Sequence, residues 1–259
     1  MTNSLPAIYA KNLGKRYGKR TVVENVSLDV PQGSFYAFLG PNGAGKSTVI
    51  RCLTGLTAPS EGTATVAGCD VSADPLTLKA RIGIVSEDIA LYEKLGAGEF
   101  LEWAGRMRGL TRRESARRAA ELLSLLDLSA DADRLIAEYS LGMKKKTALA
   151  FALLHAPAVL FLDEPFNGVD ALSVRTLCAV LTELTRNRGV TVFFTSHVLE
   201  TVERLADRAA VIQNGTIIAE GNLAELMQTA NGTTLEETFA TLIGATEKTA
   251  MDANSLDWF

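Results

Sequence analysis

Residues 40–48 have the composition of a phosphate-binding loop. They read Gly-Pro-Asn-Gly-Ala-Gly-Lys-Ser-Thr and satisfy the pattern G-x-x-x-x-G-K-[ST]. The glycines allow backbone N–H groups to close around phosphate oxygens, and the helix predicted after them adds partial positive charge. We expect Lys46 to reach the outer phosphates and Ser47 to bind Mg²⁺. The predicted nucleotide-binding residues of this loop are Gly40, Pro41, Asn42, Gly43, Ala44, Gly45, Lys46, Ser47 and Thr48.

An acidic pair stands directly after a short apolar run. Residues 159–162 are all apolar and predict a buried strand, and Asp163 and Glu164 follow them. Open α/β sheets bind their ligands at the carboxyl ends of the strands. We therefore expect Asp163 to hold Mg²⁺ through water. Glu164 is expected to orient the water that attacks the γ-phosphate and to accept its proton.

A parallel sheet is required to bring the loop and the acidic pair together. Several short apolar runs have the length of buried strands, and helical patterns separate most of them. This alternation predicts an α/β fold with a mostly parallel sheet. The predicted strands cover residues 21–30, 35–39, 82–85, 159–162, 190–195 and 209–212.

A long helical stretch interrupts this alternation. It covers about residues 91–156, which is too long for one crossover, and we interpret it as an inserted helical lobe. Within it, Thr111 and Glu114 have capping-box spacing. They stand at the start of an amphipathic helix that is expected over about residues 112–126.

The helical pattern weakens towards the C-terminus. Beyond Gly221, two short helices are expected at about residues 223–229 and 235–243, on either side of Asn231-Gly232. After Ala245 we expect a loosely held tail.

The composition indicates a packed globular protein that stays in the cytoplasm. Of 259 residues, 47% are hydrophobic and 22% are charged. The net charge of −4 gives no positive field that would attract DNA or RNA, so no nucleic acid is expected as a partner. Three cysteines without paired short spacing favour a reducing compartment. The longest apolar stretch, 148–162, is shorter than the roughly 18 to 20 residues of a membrane helix.

Another motif stands between the helical stretch and the acidic pair. Residues 139–143 read Tyr-Ser-Leu-Gly-Met. In this order and separation of motifs, the chain resembles the nucleotide-binding subunits of ATP-binding cassette (ABC) transporters from about Ala7 to Gly221. Residues 139–143, hereafter the signature segment, are similar to the family signature Leu-Ser-Gly-Gly-Gln. They keep Ser140 and Gly142, which the family uses against the γ-phosphate of ATP.

The resemblance implies roles for four more residues. His197, at the end of a predicted strand, corresponds to the family histidine that contacts the γ-phosphate and positions the water for the catalytic glutamate. Tyr17 corresponds to the aromatic residue that stacks on adenine. Asp170 lies in a segment similar to the loop through which two cassettes communicate. Glu87 corresponds to a residue that senses Mg²⁺ and the attacking water.

The chain departs from the family pattern in its signature segment and at position 87. Leu141 replaces the first glycine of the signature, Met143 replaces its glutamine, and Glu87 replaces another glutamine. A carboxylate at position 87 keeps an oxygen ligand for the metal but loses an amide donor. These variants are similar to those of a branch that serves drug, peptide-antibiotic and cell-surface polymer exporters with separate membrane subunits. We interpret them as marks of lineage and not as loss of activity.

The resemblance also implies a domain organisation. It predicts a P-loop NTPase core with a mostly parallel sheet, an N-terminal antiparallel β subdomain and an inserted α-helical subdomain at about residues 88–157. Residues 1–221 would form the nucleotide-binding domain. Residues 222–259 would form a helical extension and a tail.

The implied function is Mg²⁺-dependent ATP hydrolysis that drives a separate integral membrane permease. One phosphate loop and one signature in a chain imply a second nucleotide-binding subunit, with a homodimer favoured. The protein would be peripheral on the cytoplasmic face of the cell membrane. Two alternatives stay open, namely a soluble ABC ATPase that is not coupled to transport and the weakly hydrolysing half of a heterodimer. The implied catalytic residues are Glu164, His197 and Lys46, and the implied metal ligands are Ser47, Glu87 and Asp163.

Overall fold

The computed structural model describes residues 5–229 and 234–244. The predicted Asn231-Gly232 turn and the predicted tail after Ala245 lie outside these residues. The strands are β1 (Ile8–Tyr17), β2 (Arg20–Val30), β3 (Phe35–Leu39), β4 (Glu61–Val66), β5 (Cys69–Asp70), β6 (Ile82–Val85), β7 (Val159–Leu162), β8 (Thr191–Phe194), β9 (Arg208–Gln213) and β10 (Thr216–Asn222). The helices are α1 (Lys46–Leu53), α2 (Pro75–Arg81), α3 (Ala97–Met107), α4 (Arg112–Leu125), α5 (Leu141–Leu153), α6 (Ala171–Arg188), α7 (Leu199–Leu205), α8 (Leu223–Thr229) and α9 (Leu235–Leu242).

The larger sheet is mostly parallel, and its strand register places the site residues side by side. Its strand order across the described residues is β10-β9-β3-β8-β7-β6, and β10 pairs antiparallel to β9. Leu162, the last residue of β7, is paired with Val85 of β6 and with Phe194 of β8. The carboxyl ends of these three strands therefore lie side by side, and the residues that follow them can share one site.

The parallel strands of this sheet are mostly buried on both faces, whereas the edge strand β10 is partly exposed. In β3, Phe35, Ala37 and Leu39 pack in a core shared with the helical lobe and α6. The alternate residues Tyr36 and Phe38 pack in a second core, which the smaller sheet and α1 cover. This two-residue alternation is the geometry of a strand, and burial of both faces explains why these strands appear as continuous apolar runs.

The smaller sheet is antiparallel. Its order within the described part of the chain is β2-β1-β4-β5. The pairing of β1 with β2 shifts register after Ala10, after Leu13 and again after Lys15. Half of such a sheet faces solvent, so its strands mix polar with apolar residues.

The helices α3, α4 and α5 lie between β6 and β7 in the chain and form the inserted lobe. The predicted amphipathic helix is α4, which begins after Thr111. The Thr111 side chain accepts a hydrogen bond from the Glu114 N–H at 3.2 Å, as the capping-box spacing predicts. The predicted fold class is therefore confirmed, with its mixed sheets and its inserted helices.

The described helices can be compared with the length and composition of a membrane-spanning helix. Among residues 5–229 and 234–244, no helix has both the length and the apolar character that crossing a membrane requires.

Candidate nucleotide site

The phosphate loop connects β3 to α1. Gly43 and Gly45 have φ values of 78° and 109°, a region that side chains disfavour. A Cβ atom on Gly40 would lie 2.3 Å from the carbonyl oxygen of Ile212, so only glycine allows β9 to approach this closely. Gly45 caps α1 without a side-chain hydrogen bond. The N–H groups at the start of α1 therefore stay available for an anion.

Lys46 is buried at the floor of this loop. Its Nζ donates hydrogen bonds to the carbonyl oxygens of Gly40 at 2.7 Å and Pro41 at 3.3 Å. Burial lowers the pKa of Lys46, while the carboxylates of Glu164, Asp163 and Glu87 act to raise it. The ammonium thus stands in the field of the acidic residues and can neutralise charge that is brought to the loop.

Asp163 and Glu164 follow β7, as predicted, and Thr195 at the end of β8 connects them. The Thr195 hydroxyl donates to Oδ1 of Asp163 at 2.7 Å and accepts from the N–H of Glu164 at 2.9 Å. Glu164 has a φ of 49°, in the left-handed region, which costs a non-glycine residue roughly 1–2 kcal/mol. Strain of this kind concentrates at functional sites.

The Glu164 carboxylate is 3% exposed and lies against His197. Its Oε2 accepts a hydrogen bond from the backbone N–H of His197 at 3.0 Å. Nε2 of His197 is 3.0 Å from Oε1 but lacks hydrogen-bond geometry, and Oε1 has no hydrogen-bond partner among residues 5–229 and 234–244. Burial raises the pKa of Glu164, and the charges of His197 and Lys46 partly offset this effect. A buried acceptor without a donor is a position where a water can bind.

A single cleft collects most of the predicted residues. It has a volume of about 550 Å³, and Tyr17 stands at its wall with 46% of its surface exposed. Its lining thus includes an aromatic side chain as well as residues of the phosphate loop. It is lined by Tyr17, Arg20, Val22, Asn42, Gly43, Gly45, Lys46, Ser47, Thr48, Glu87, Asp163, Glu164, Asn167 and His197.

The oxygen donors of this cleft fit a magnesium ion. Ser47, Glu87 and Asp163 all line it, and hydroxyl and carboxylate oxygens are the ligands that Mg²⁺ prefers. Within the described ranges, no group of three His, Cys, Asp or Glu residues could hold a metal by itself. This is the pattern of a magnesium site that uses one or two carboxylates together with substrate phosphates.

The turn between β9 and β10 braces the phosphate loop against β2. The Gly215 N–H donates to the carbonyl oxygen of Ala44 at 3.0 Å, and its own carbonyl accepts from the Glu24 N–H at 2.9 Å. A Cβ atom on Gly215 would lie 2.5 Å from the carbonyl oxygen of Val22. The phosphate loop and the strand that carries Val22 are therefore joined through one glycine.

Comparison with known proteins decides the family. The family model described as ABC transporter matches residues 23–167. The linearmycin resistance ATP-binding protein LnrL of Bacillus subtilis (strain 168) is 40% identical over 228 residues, which cover 88% of this chain and 73% of that protein. The chain belongs to the ABC transporter family. It is an ATP-binding subunit, which binds ATP with Mg²⁺ and hydrolyses it in coupling to transport.

Further similarities agree with this assignment of the cassette. The bacitracin transport ATP-binding protein BcrA of Enterococcus faecalis is 35% identical, with 85% of this chain and 70% of that protein covered. A solved ATP-binding subunit of an ABC transporter has a TM-score of 0.83 at 32% identity and covers 91% and 99% of the two chains. A dimeric cassette in a post-hydrolysis state, bound to ADP and Pi, has a TM-score of 0.76 at 26% identity, with 83% and 98% covered.

Three predicted residues of the cassette lie outside the cleft. Ser140, at the exposed start of α5, accepts a hydrogen bond from the Met143 N–H at 3.2 Å and caps the helix. Asp170 caps α6 through the Ser173 N–H at 2.9 Å. A Cβ atom on Gly142 would lie 2.6 Å from Oγ of Ser173 and 2.7 Å from Oδ2 of Asp170, so the signature segment packs on the Asp170 loop of its own chain.

Gly40, Pro41 and Ala44 also do not line the cleft of the cassette. They act through their backbones instead, since Gly40 and Pro41 hold Lys46 and Ala44 holds Gly215. They belong to the loop but not to its inner surface.

Several residues of the cassette site were absent from the sequence prediction. Arg20 and Val22 line the cleft because β2 pairs with β1, where Arg20 lies opposite Tyr17. Thr195 connects the acidic pair, and a polar residue at the end of an apolar strand is a signal that could have identified it. Lys145 donates to the carbonyl oxygen of Glu164 at 2.5 Å. Within a run of three lysines, the sequence alone does not distinguish it from a solvated residue.

Proposed function

We propose that this cassette energises the export of antibiotic-like compounds through a separate membrane permease, with Glu164 as the catalytic base. One observation carries the proposal: a single cleft holds the phosphate loop and the acidic pair, whereas Ser140 and Gly142 lie outside it. Such a chain has the parts that bind and cleave ATP but lacks, within that cleft, the signature that the family places against the γ-phosphate.

The chemistry proposed for the cleft is in-line attack by water on the γ-phosphate. Tyr17 stacks on the base, and Lys46 with the loop N–H groups holds the phosphates. Ser47, Asp163 and Glu87 would hold a magnesium ion, which would supply positive charge to neutralise the phosphate oxygens. Its ligands stand at the same edge of the sheet.

Glu164 is the residue that handles the proton. Its Oε1, which accepts no hydrogen bond within the described part of the chain, is the acceptor for the attacking water, and burial, which raises the pKa of Glu164, makes it a better base than an exposed glutamate. His197 holds the other carboxylate oxygen through its backbone and presents its ring beside the first. The pair thus orients the water and keeps the carboxylate in place.

The proposed active form is a dimer in which each ATP lies between two copies. Ser140 and Gly142 of one cassette would complete the cleft of the other, and Asp170 would lie near the contact between them. The similar solved cassettes that are named as dimers support this arrangement. A homodimer is favoured because this chain keeps Lys46 and Glu164.

A groove on the helical lobe is the proposed docking site for the permease. Tyr92 and Trp103 are 59% and 41% exposed, and their rings lie 4.9 Å apart, centre to centre. The groove has a volume of about 650 Å³ and mixes aromatic with charged side chains. We propose that the protein is thereby held, as a peripheral subunit, on the cytoplasmic face of the membrane. The groove is lined by Leu91, Tyr92, Glu93, Lys94, Leu95, Glu99 and Trp103.

The proposed cargo follows from the names of the relatives. They are named for resistance to linearmycin, for bacitracin transport and for resistance to daunorubicin and doxorubicin. An ATP-driven transporter that confers resistance to a compound does so by exporting it.

We further propose residues 1–221 as the nucleotide-binding domain, with the inserted helical subdomain at about 88–157, and residues 222–259 as its extension.

The test is Mg-ATP hydrolysis by the purified chain beside Glu164→Gln, with the molar mass of each in ATP measured by light scattering. Glu102→Gln, which removes an exposed carboxylate from α3, is the control. We expect turnover by the wild type and by the control, and an inactive, ATP-bound dimer of Glu164→Gln. Turnover by Glu164→Gln would show that another group is the base. A wild type that binds ATP without hydrolysis or dimerisation would contradict the homodimer and favour the heterodimer.

A further inference from the structure

Lys145 is a buried lysine whose ammonium contacts the backbone of Glu164. It lies in the second turn of α5, its residue surface is 5% exposed, and Nζ is 2.5 Å from the carbonyl oxygen of Glu164. Lysine is almost never fully buried without a partner, since the ammonium loses its hydration. Its side chain lines a small apolar cavity of about 10 Å³, which is also formed by Val85, Leu149, Leu162, Pro165, Leu177 and Leu181.

The backbone that Lys145 contacts is strained. Glu164 has a positive φ of 49°, which an L-residue adopts only where its surroundings hold it. Its N–H donates to Thr195 on one side. On the other side, its carbonyl oxygen accepts from Lys145 and, at 3.3 Å, from the N–H of Asn167. Hydrogen bonds thus fix both peptide groups that flank the carboxylate-bearing residue.

The same helix touches the chain beyond Glu164 at a second place. Gly142, three residues before Lys145, lies against Ser173 and Asp170 so closely that no Cβ would fit. Helix α5 therefore contacts the chain that follows β7 at two places. Gly142 packs on Asp170 and Ser173, and Lys145, one turn later, contacts Glu164. A displacement of α5 would therefore disturb its contacts with the Glu164 carbonyl oxygen and with Asp170.

We propose that Lys145 is a positioning residue for ATP hydrolysis, which holds the Glu164 backbone so that the carboxylate faces the cleft and ties it to the signature helix. The proposal rests on the role proposed above for Glu164. Ser140, which caps α5, serves the ATP of the partner cassette. When that ATP orders the start of α5, Lys145 transmits the ordering to the base of its own chain. Two ATP sites of a dimer are thus connected inside each subunit.

The kinetic test compares Lys145→Met with the wild type in the purified full chain. Methionine fits the apolar surroundings of the lysine stem without a donor, so the fold should persist. We expect kcat to fall about 10- to 100-fold, because a charge-assisted hydrogen bond is lost, while the KM for ATP stays within about twofold. The control is Lys144→Met, which removes the same charge from the same helix at an ion pair with Glu93 and should keep kcat.

The conservative variant separates positioning from packing. Lys145→Arg keeps a cationic donor at this position, so its kcat should lie well above that of Lys145→Met. The proposal is overturned if Lys145→Met keeps more than half of the wild-type kcat. It is also overturned if KM rises in proportion to the loss, or if Lys144→Met or Lys145→Arg is as impaired as Lys145→Met.

A second measurement does not depend on nucleotide. Hydrogen exchange in the nucleotide-free protein reports the peptide that covers residues 163–169, which includes the N–H groups of Glu164 and Asn167. Lys145→Met should speed exchange there several-fold and Lys144→Met should not, and unchanged exchange in Lys145→Met overturns the proposal. Glu164→Gln, measured in parallel, distinguishes failure of the proposed function from failure of the role proposed for Lys145. If Glu164→Gln hydrolyses ATP, the proposed function fails, whereas the exchange result still decides whether Lys145 holds this backbone.

Discussion

The cleft and the signature segment are both built from helix starts, but only one of them is enclosed. At the cleft, the start of α1 carries no side-chain cap and Lys46 is 7% exposed among carboxylates. At the signature segment, the start of α5 is capped by its own Ser140, which is exposed to solvent. The first region is ready for an anion within one chain. The second becomes a phosphate site only where another surface meets it.

The largest expected effect comes from Lys46→Met, which removes a buried cation from the lining of the cleft. Loss of a preorganised charge at a phosphate typically costs about 10²- to 10³-fold, and we expect a loss of this size in the affinity of the isolated chain for ATP. Equilibrium titration with a fluorescent nucleotide measures it. The control is Lys79→Met, at an exposed position of α2. If Lys46→Met binds ATP as tightly as the wild type does, the cleft is not the region that binds phosphate within one chain.

The next effect sharpens the comparison at the signature. Ser140→Ala should lower kcat about tenfold or more and weaken the ATP-driven dimer, while ATP binding to the monomer stays unchanged. Thr111→Ala is the matched control, because both side chains accept a helix N–H at 3.2 Å. Each variant should lose about 1 kcal/mol of stability as a lost cap. Turnover measured beside thermal unfolding separates the role of Ser140 as a helix cap from its role at the partner's ATP. Equal turnover of the two variants would contradict the second role.

A smaller effect tests how the two regions are joined. Gly142→Ala places a Cβ against Ser173 and Asp170, which we expect to destabilise the chain by about 1–3 kcal/mol through overpacking. Gly98→Ala in α3 meets nothing closer than 3.5 Å and should be neutral or stabilising by up to about 1 kcal/mol. Chemical denaturation of both variants provides the measurement. If Gly142→Ala is as stable as Gly98→Ala, the signature segment moves freely against the Asp170 loop.

The smallest effect concerns the aromatic end of the cleft. Tyr17→Ala should raise the dissociation constant for ATP about 2- to 10-fold, since an aromatic stacking contact contributes roughly 0.5–1.5 kcal/mol. Tyr17→Phe keeps the ring and should bind as the wild type does. The same titration reads both variants. A Tyr17→Ala chain with unchanged affinity would limit the comparison to the phosphate end.

Sequence patterns located the parallel strands closely because those strands are apolar throughout. The predicted bounds 35–39, 82–85 and 159–162 coincide with β3, β6 and β7. The strands β1, β4, β5 and β10 were not located individually. In β4, polar and small residues predominate and half of the strand is exposed. An antiparallel strand with one solvated face gives no continuous apolar run.

The candidate site divides in the same way. Residues in motifs, such as Lys46 and Glu164, could be named in advance because their spacing follows from local chemistry. The roles assigned to them stay predictions until they are measured. The contacts of Lys145 and Thr195 with Glu164 could not be predicted, because they join positions 19 and 31 residues apart. Such contacts depend on how α5 and β8 pack against β7, which no local pattern specifies.

Gly215 has a consequence for the entropy of binding. Its N–H and carbonyl hold the phosphate loop and β2 at a fixed separation, so the cleft has its shape before any ligand arrives. A preorganised site loses less conformational freedom when it binds than one that must assemble itself. ATP then enters a cleft in which the phosphate loop and β2 are already held together.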